Sequence, residues 1–136
     1  MRLAVFDTNV LVSAAIKAEG APAKLVMDWL LEGQAQLVTC PWIVGEYREV
    51  MRRPKFFRYG FPPLWLEFFI EESLRLPDPE TWPHPVPDPK DAPFLALARA
   101  AGAWLVTGNS RHFPETGRGG VTVISPAGYL GHLLVS

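Results

Sequence analysis

The sequence predicts an α/β sandwich with a mostly parallel central sheet. Short apolar segments alternate with longer segments whose apolar residues recur at helical spacing, the order expected for parallel strands joined by helical crossovers. The first apolar segment, residues 3–6, contains no polar residue, which is typical of a central strand covered on both faces. The other predicted strands are residues 36–39, 103–106 and 121–124.

Proline and glycine mark most ends of the predicted helices. Pro22 and Pro41 suit the first turn of a helix, where a missing N–H costs no helical hydrogen bond. Gly33 and Gly102 suit helix ends, and Pro54 favours a stop before it. The predicted helices cover residues 10–18, 22–33, 41–53 and 91–101, with two more beginning near Pro62 and Pro126.

A proline-rich loop is expected late in the chain. Residues 77–93 hold seven prolines, which fix φ and remove hydrogen-bond donors, so this segment should be stiff and extended. It is too short to separate two domains, and we expect one domain over residues 1–136. The helix before the loop offers four apolar side chains for burial: Trp65, Phe68, Phe69 and Leu76.

Composition excludes several classes of protein. Thirteen Lys and Arg against 14 Asp and Glu give a net charge of -1, which argues against a purely electrostatic binder of nucleic acid but allows a local basic rim. The single cysteine, Cys40, permits no intrachain disulfide and suits a reducing compartment. The three histidines lack zinc spacing. No apolar run is long enough to span a bilayer, so a cytoplasmic protein without membrane contact is expected.

Two polar residues follow predicted strands and should lie at one edge of the sheet. Asp7 comes directly after the first strand, and Asn109 lies just beyond the strand at 103–106. Because ligands of parallel α/β sheets bind outside the carboxyl ends of the strands, both residues should face one crevice. A carboxylate at this place suits a metal-binding role, although capping of the next helix explains Asp7 equally well.

A second acid is predicted near the inward face of the helix at 41–53. Glu46 lies three residues after Ile43 and four before Val50, on or beside the apolar stripe that faces the sheet. Glu49 is expected on the solvent side. An inward glutamate is costly unless it is paired, hydrogen-bonded or bound to a metal. The alternative to a metal ligand is therefore a buried ion pair with an arginine such as Arg99.

A third acid stands at the start of the helix at 91–101. Pro93 would clash with a helical carbonyl four residues earlier, so regular helix must begin close to Asp91. Asp88 leads the proline turn and is the better candidate for a simple helix cap. Asp91 is the better ligand candidate, with capping and the field of the helix N-terminus as the alternative explanation.

Three acids at one sheet edge match the needs of a hard divalent cation. Mg²⁺ and Mn²⁺ prefer oxygen ligands, and Mg²⁺ is usually held by one or two carboxylates together with waters and substrate phosphate. Such a cation can polarise a phosphoryl oxygen and generate a hydroxide nucleophile. The set Asp7, Glu46 and Asp91 therefore predicts a metal-dependent nuclease.

Several short motifs together resemble the PIN-domain family. They are Phe6-Asp7-Thr8-Asn9-Val10-Leu11, Glu46, Asp-Pro-Lys-Asp at 88–91 and Val106-Thr107-Gly108-Asn109. The similarity extends from Leu3 to about Pro126 and is greatest to toxin components of bacterial toxin–antitoxin systems. This resemblance implies a three-layer, Rossmann-like α/β/α fold, dependence on Mg²⁺ or Mn²⁺, and endonucleolytic cleavage of single-stranded RNA.

The resemblance also assigns roles to individual residues. The family's three acids fall on Asp7, Glu46 and Asp91, and many members carry a fourth acid where this chain has Asn109. An amide can orient a water or offer one neutral oxygen, but it cannot neutralise a second cation, so one or two metals stay open. The supporting polar residues of the expected site are Thr8, Asn9, Asp88, Thr107 and Ser110.

Contacts to the substrate are less specifically indicated. The segment 52–59 interleaves cations with aromatic residues, and Arg52, Arg53 and Lys55 could contact phosphate beside stacked bases. The simpler explanation, which we favour, is a cation-rich helix end followed by a loop pinned by buried aromatics. Arg111 and Arg118, near Asn109, are alternative phosphate contacts.

Two other functions fit parts of the pattern. Haloacid-dehalogenase-type phosphatases also place an aspartate after the first strand, but they carry a second aspartate two residues later, where this chain has Asn9. A catalytically weakened PIN module that binds protein or RNA is the other alternative, and Asn109 is its main support. Expected partners are an RNA substrate, a small antitoxin protein and, as an open alternative, further copies of this chain.

Overall fold

A five-stranded parallel sheet forms the centre of the protein. The computed structural model describes residues 2–135, and its strands are ordered β3-β2-β1-β4-β5 with every neighbouring pair parallel. The strands are β1 (Leu3–Phe6), β2 (Gln36–Thr39), β3 (Leu74–Arg75), β4 (Trp104–Val106) and β5 (Val123–Ile124). The predicted α/β class with a parallel sheet is confirmed.

Six helices connect and cover these strands. They are α1 (Thr8–Ile16), α2 (Ala21–Lys24, continued by a π-helical segment Leu25–Leu30), α3 (Pro41–Met51), α4 (Trp65–Glu72), α5 (Ala92–Ala101) and α6 (Pro126–Val135). Short 3₁₀ turns occupy Pro54–Tyr59, Pro89–Asp91, Ser110–His112 and Glu115–Gly117. Proline begins or nearly begins α2, α3, α5 and α6, as the sequence predicts. Among residues 2–135, no helix is long and apolar enough to cross a membrane.

The core lies on both faces of β1. Ala4, Val5 and Phe6 are fully buried, which confirms that the first strand is central. Helix α5 packs on β1, β2 and β4, and Phe94–Ala98 along it are all buried. Helix α3 contacts α1 and α5, so its middle lies close to the end of β1. This arrangement brings the starts of α1 and α5 to the same edge of the sheet.

The edge strand β3 and the exposure of Phe68 differ from the prediction. Strand β3 has only two residues, both exposed, so it carries no apolar pattern, and it is defined by pairing of Val38 with Leu74 in β2 and β3. The predicted burial of Phe68 is wrong, since this side chain is 48% exposed on the outer side of α4. Leu76 is partly buried.

The proline-rich loop is fastened to the body of the protein by contacts that include those of Trp82. Residues 76–88 contain no helix or strand, as predicted. Trp82 is buried, and its indole Nε1 donates a hydrogen bond to the Gly117 carbonyl at 2.9 Å. The guanidinium of Arg99 lies over the same ring at 5.5 Å from its centroid. The loop therefore leads in a defined path to the turn that carries Asp91.

Candidate functional site

Asp7 lies where β1 ends and α1 begins. Its backbone N–H donates to the Val106 carbonyl at 2.9 Å, which fixes it beside the end of β4. The side chain is 7% exposed and does not form the capping hydrogen bond that its position would allow. Its Oδ2 instead accepts hydrogen bonds from the Thr107 hydroxyl at 2.8 Å and from the Asn9 amide at 3.3 Å. The carboxylate is thus held in the crevice rather than turned back onto its own helix.

Burial dominates the electrostatics of Asp7. Loss of solvent raises the pKa of the Asp7 carboxyl above its ordinary value. The hydrogen bond from Thr107, the amides of Thr8 and Asn9 and the charge of His112 oppose this rise without cancelling it. A buried carboxylate with this balance is more stable when a positive charge lies beside it.

Asp91 lies at the start of α5 and faces Asp7. Asp88 was expected to cap the proline turn, and this is confirmed. Its Oδ1 accepts a hydrogen bond from the Lys90 N–H at 3.0 Å. The Asp91 side chain forms no capping hydrogen bond and is 15% exposed. Burial and then the negative charge of Asp7 raise the pKa of Asp91 to about 6, with a smaller contribution from Asp88. The two carboxylates are therefore electrostatic neighbours.

His112 contacts Asp91, although no motif or spacing in the sequence indicates this contact. Its Nδ1 lies 3.2 Å from Asp91 Oδ2, an oxygen that is buried and has no well-aligned hydrogen bond within residues 2–135. Its Nε2 lies 2.9 Å from the amide nitrogen of Asn109. Only the 3₁₀ turn Ser110–His112 brings the ring back to this place, so spacing along the chain could not reveal it.

The segment after β4 connects the polar groups of the site. The buried Thr107 hydroxyl donates to Asp7 and accepts a hydrogen bond from the Asn109 N–H at 3.0 Å. The Gly108 N–H donates to Asn9 Oδ1 at 3.1 Å. Thr107, Asn9 and Asn109 are thus tied to the same edge as Asp7.

Glu46 lies beside the buried face of α3 rather than at its centre. Ile43, Tyr47 and Met51 are fully buried, and Glu46 is partly exposed next to them. Tyr47 donates its hydroxyl hydrogen to the Phe6 carbonyl, and burial followed by the charge of Asp7 raises the pKa of Tyr47. Sequence reasoning missed this tyrosine, which occupies the position nearest to Asp7 on α3.

The three-acid cluster expected from the sequence is assembled only in part. Among residues 2–135, no group of three or more His, Cys, Asp or Glu side chains converges closely enough to hold a metal. The structure brings Asp7 and Asp91 together and does not add Glu46 to them. The alternative ion pair of Glu46 with Arg99 is not formed either, because Arg99 stacks on Trp82. A ligand role for Glu46 stays a prediction.

The solvent side of α3 is as predicted. Glu49 forms an ion pair with Arg53 at 3.0 Å, and both side chains are largely exposed. Arg48 pairs with Glu67 of α4 on the same outer surface. The Arg48–Glu67 pair connects α3 to α4 at the surface, and the Glu49–Arg53 pair keeps Glu49 on the outer side of α3.

The basic residues predicted to bind substrate are all at the surface. Arg53 is engaged with Glu49, and the Lys55 ammonium lies 5.1 Å from the centroid of the Phe56 ring, which is buried and pins the segment. Arg52 and Arg111 are exposed. Arg118 donates to the Phe113 carbonyl at 2.7 Å. Of these residues, Arg111 precedes His112 and is therefore nearest in sequence to the acid pair.

Two supporting residues differ in their surroundings. Thr8 is buried, and its hydroxyl has no hydrogen-bond partner within residues 2–135. Ser110 is exposed. Thr8 begins α1 directly after Asp7, so a polar group with unused hydrogen-bonding capacity lies next to the buried acid.

The donors at this edge fit a hard divalent cation. Asp7 and Asp91 offer two neighbouring carboxylates, each with a raised pKa that reflects burial, and a cation between them would relieve their repulsion. Asp91 Oδ2 is buried without a well-aligned partner. One or two carboxylates are the usual protein contribution to a Mg²⁺ site. The fit therefore rests on two acids and does not require Glu46.

The protein is a parallel α/β protein whose acid pair, Asp7 and Asp91, lies outside the carboxyl ends of β1 and β4. Comparison with known families then gives the family itself. The sequence profile described as PIN domain matches residues 3–111, and the chain belongs to the PIN-domain family. A search of proteins of curated function found no match to this sequence.

Solved structures with the same fold include VapBC assemblies. The chain is similar to VapBC2 from Rickettsia felis bound to a promoter DNA fragment, with a TM-score of 0.64, 13% identity and coverage of 90% of this chain and 98% of that one. It is similar to DNA-bound VapBC from Salmonella typhimurium, with a TM-score of 0.64, 17% identity and coverage of 93% and 99%. PAE2754 from Pyrobaculum aerophilum gives a TM-score of 0.61, 17% identity and coverage of 100% and 91%. These likenesses support the fold.

Proposed function

We propose that this protein is a metal-dependent endoribonuclease that cleaves single-stranded RNA and acts as the toxin of a toxin–antitoxin pair. The observation that carries the proposal is the pairing of the buried Asp7 with the partly buried Asp91 at the carboxyl edge of a PIN-domain sheet. Membership of this family favours a nuclease over the phosphatase alternative. Asn9, where such a phosphatase needs an acid, instead donates to Asp7 and accepts from Gly108.

Asp7 and Asp91 would hold the cation, with Mg²⁺ or Mn²⁺ as the ions suited to these oxygen donors. When bound, the cation polarises a phosphoryl oxygen and makes water more acidic. Thr107 and Asn9 orient Asp7 through hydrogen bonds to one of its oxygens. Asn109 adds no charge, so this chain would carry one strongly bound cation rather than two.

Local contacts rather than overall charge would hold the RNA. The net charge of -1 gives no general attraction to a polyanion. Arg111, exposed beside His112, would contact a phosphate. Arg52 and Lys55 would contact more distant phosphates. Phe57 and Tyr59, both exposed in the same segment, would offer faces for base stacking.

The direct test compares substrates and metals. Purified protein should cleave a single-stranded RNA oligonucleotide in the presence of Mn²⁺ or Mg²⁺, and a chelator should stop the reaction. A duplex RNA, a single-stranded DNA and a small phosphoester should be cleaved far more slowly. Binding of RNA without cleavage under every metal condition would support the weakened binding module instead, and hydrolysis of the phosphoester alone would support a phosphatase.

A second measurement tests whether Glu46 takes part in the site. Glu46 is partly exposed beside Tyr47, whose hydroxyl donates to the carbonyl of the residue before Asp7, whereas Glu49 is paired with Arg53 on the outer surface. Glu46→Gln should lower the cleavage rate by about tenfold or more, the scale of a lost supporting ligand, and Glu49→Gln should leave it nearly unchanged. Equal rates in both variants would remove Glu46 from the site.

Two exposed apolar side chains beside a groove of mixed lining, to which Gln36 and Glu72 also contribute, support the antitoxin part of the proposal. Leu31 after α2 and Phe68 of α4 are 55% and 48% exposed and border a cavity of about 100 Å³ lined also by Leu30, Leu37 and Phe69. Exposed apolar side chains grouped around a groove are typical of peptide-binding surfaces. Two structurally similar proteins are VapBC assemblies. We place the antitoxin segment in this groove.

Phe68→Glu should therefore weaken binding of the proposed antitoxin by at least about tenfold, because a carboxylate would meet an apolar peptide. The rate of RNA cleavage by the isolated variant should not change. Leu134→Glu, also at an exposed apolar position but on α6, is the matched control. If Phe68→Glu instead changes the mass of the protein in solution and not its affinity for the partner, the groove is a contact between copies of this chain.

A further inference from the structure

The His112 ring lies between the third acid of the site and the amide that replaces a fourth. Its Nδ1 is 3.2 Å from Asp91 Oδ2, and its Nε2 is 2.9 Å from Asn109 Nδ2. The ring is half exposed, so packing in the core does not explain its place. Each of its two nitrogens is instead matched to one polar group at the edge where Asp7 lies.

The two contacts are mutually consistent in only one state of a neutral imidazole. A carboxylate oxygen accepts hydrogen bonds and donates none, so the nitrogen that faces Asp91 must carry the proton. Nε2 is then an acceptor and requires a donor, which the NH₂ of Asn109 supplies. The opposite tautomer would direct the lone pair of Nδ1 at the carboxylate. The tautomer therefore fixes the orientation of the Asn109 amide and leaves its oxygen as the free acceptor.

The backbone of Asn109 is tied to the other acid. Its N–H donates to the Thr107 hydroxyl, which in turn donates to Asp7. A continuous series of contacts thus runs from Asp7 through Thr107, Asn109 and His112 to Asp91. The turn Ser110–His112 closes this series, and removal of the imidazole would open it at the side of Asp91.

We propose that His112 is a positioning residue that holds the Asp91 carboxylate through Nδ1–H and orients the Asn109 amide so that its oxygen serves as a neutral ligand of the cation. The part that concerns the cation rests on the proposed function, whereas the tautomer and the amide orientation do not. The inference gives Asn109 a definite role in place of the missing acid. It also explains why a ring that is half in solvent is engaged at both nitrogens.

Nitrogen NMR of the metal-free protein tests the tautomer. The spectrum is recorded with chelator at alkaline pH, where the imidazole signals no longer change with pH, so that only the neutral ring is observed. His112→Gln identifies which signals belong to this ring. We expect protonated Nδ1 and unprotonated Nε2. A predominance of the Nε2–H form, or the mixture found for a free histidine, would overturn the inference whether or not the protein cleaves RNA.

Mn²⁺ binding, measured by calorimetry, tests the role of the amide. His112→Ala should weaken binding by about 10- to 100-fold, as for other residues that orient metal ligands. In an Asn109→Asp background both oxygens of the side chain can bind the cation, so the loss on His112→Ala should be at least about threefold smaller, the coupling expected of interacting residues. An equal loss in both backgrounds would refute the role of the amide.

The two proposals fail in different ways. If wild type binds Mn²⁺ and cleaves RNA but His112→Ala binds Mn²⁺ as tightly, the inference alone is wrong. If wild type neither binds Mn²⁺ nor cleaves RNA, the proposed function is wrong, and the NMR result decides the placement of His112. His84, which contacts Trp82 away from the acid pair, provides the matched histidine control as His84→Ala.

Discussion

Asp7→Asn should lower the rate of RNA cleavage by about 100- to 1,000-fold, the loss typical of removing one preorganised charge-stabilising group from an active site. Asparagine has the same shape and keeps an oxygen that can accept the Thr107 hydrogen bond. It cannot supply the negative charge that binds a divalent cation. Because burial disfavours the charged form of Asp7, its loss should not destabilise the fold.

The measurement compares initial rates of RNA cleavage at saturating Mn²⁺ with thermal melts of the same samples. Asp28→Asn is the matched control, since Asp28 is an exposed acid in the segment after α2. Its rate should equal that of wild type. Cleavage by Asp7→Asn at the wild-type rate, in a preparation free of contaminating nuclease, would show that the acid pair is not the active site.

The strands and the edge that carries the site could be predicted because they depend on local pattern and on one rule of topology. An uninterrupted apolar segment indicated a central strand, and Ala4, Val5 and Phe6 are fully buried. The carboxyl ends of parallel strands meet at one edge, so Asp7 and Asn109 could be placed together before their distance was known. Strand β3 could not be predicted, because two exposed residues show no alternation of apolar and polar side chains.

Helix α3 shows that apolar spacing alone does not identify the residue at the centre of a buried helix face. Ile43 and Val50 placed Glu46 on or beside the inward face, but the centre of that face is Tyr47, one residue or about 100° away. A tyrosine can be buried there because its hydroxyl reaches the Phe6 carbonyl. His112 could not be predicted for another reason. Its contacts depend on a turn that folds back after β4.

Asp91→Asn should raise the thermal stability of the metal-free protein and remove its dependence on pH between about 4 and 6. The pKa of Asp91 rises from an ordinary value of 3.8 to about 6, first by burial and then by the charge of Asp7. The folded state therefore holds the proton more tightly than the unfolded state. The contribution of Asp91 to stability is then greatest below pH 3.8 and falls as pH increases to about 6, above which the loss is complete.

The expected change in stability shows whether charge repulsion or the helix N-terminal charge of Asp91 matters more. A rise from 3.8 to about 6 corresponds to at most about 3 kcal/mol, and solvent at the partly exposed side chain reduces it. Loss of a negative charge at the start of α5 would cost only about 0.3–1 kcal/mol, and no capping hydrogen bond is lost with it. Relief of repulsion should therefore exceed the helix term, and the melting temperature of Asp91→Asn at neutral pH should rise by several degrees.

We expect Mn²⁺ to reverse the order of thermal stability of the two proteins. A cation that binds only the folded state stabilises it in proportion to the logarithm of its concentration, so Mn²⁺ should raise the melting temperature of wild type by several degrees. Asp91→Asn should show a much smaller rise, because one of two charged ligands is gone. Melts of both proteins at neutral pH, with Mn²⁺ and with chelator, provide the four values required. If wild type shows no shift with Mn²⁺ and Asp91→Asn melts lower than wild type in chelator, then Asp91 stabilises the start of α5 by its charge and is not a metal ligand.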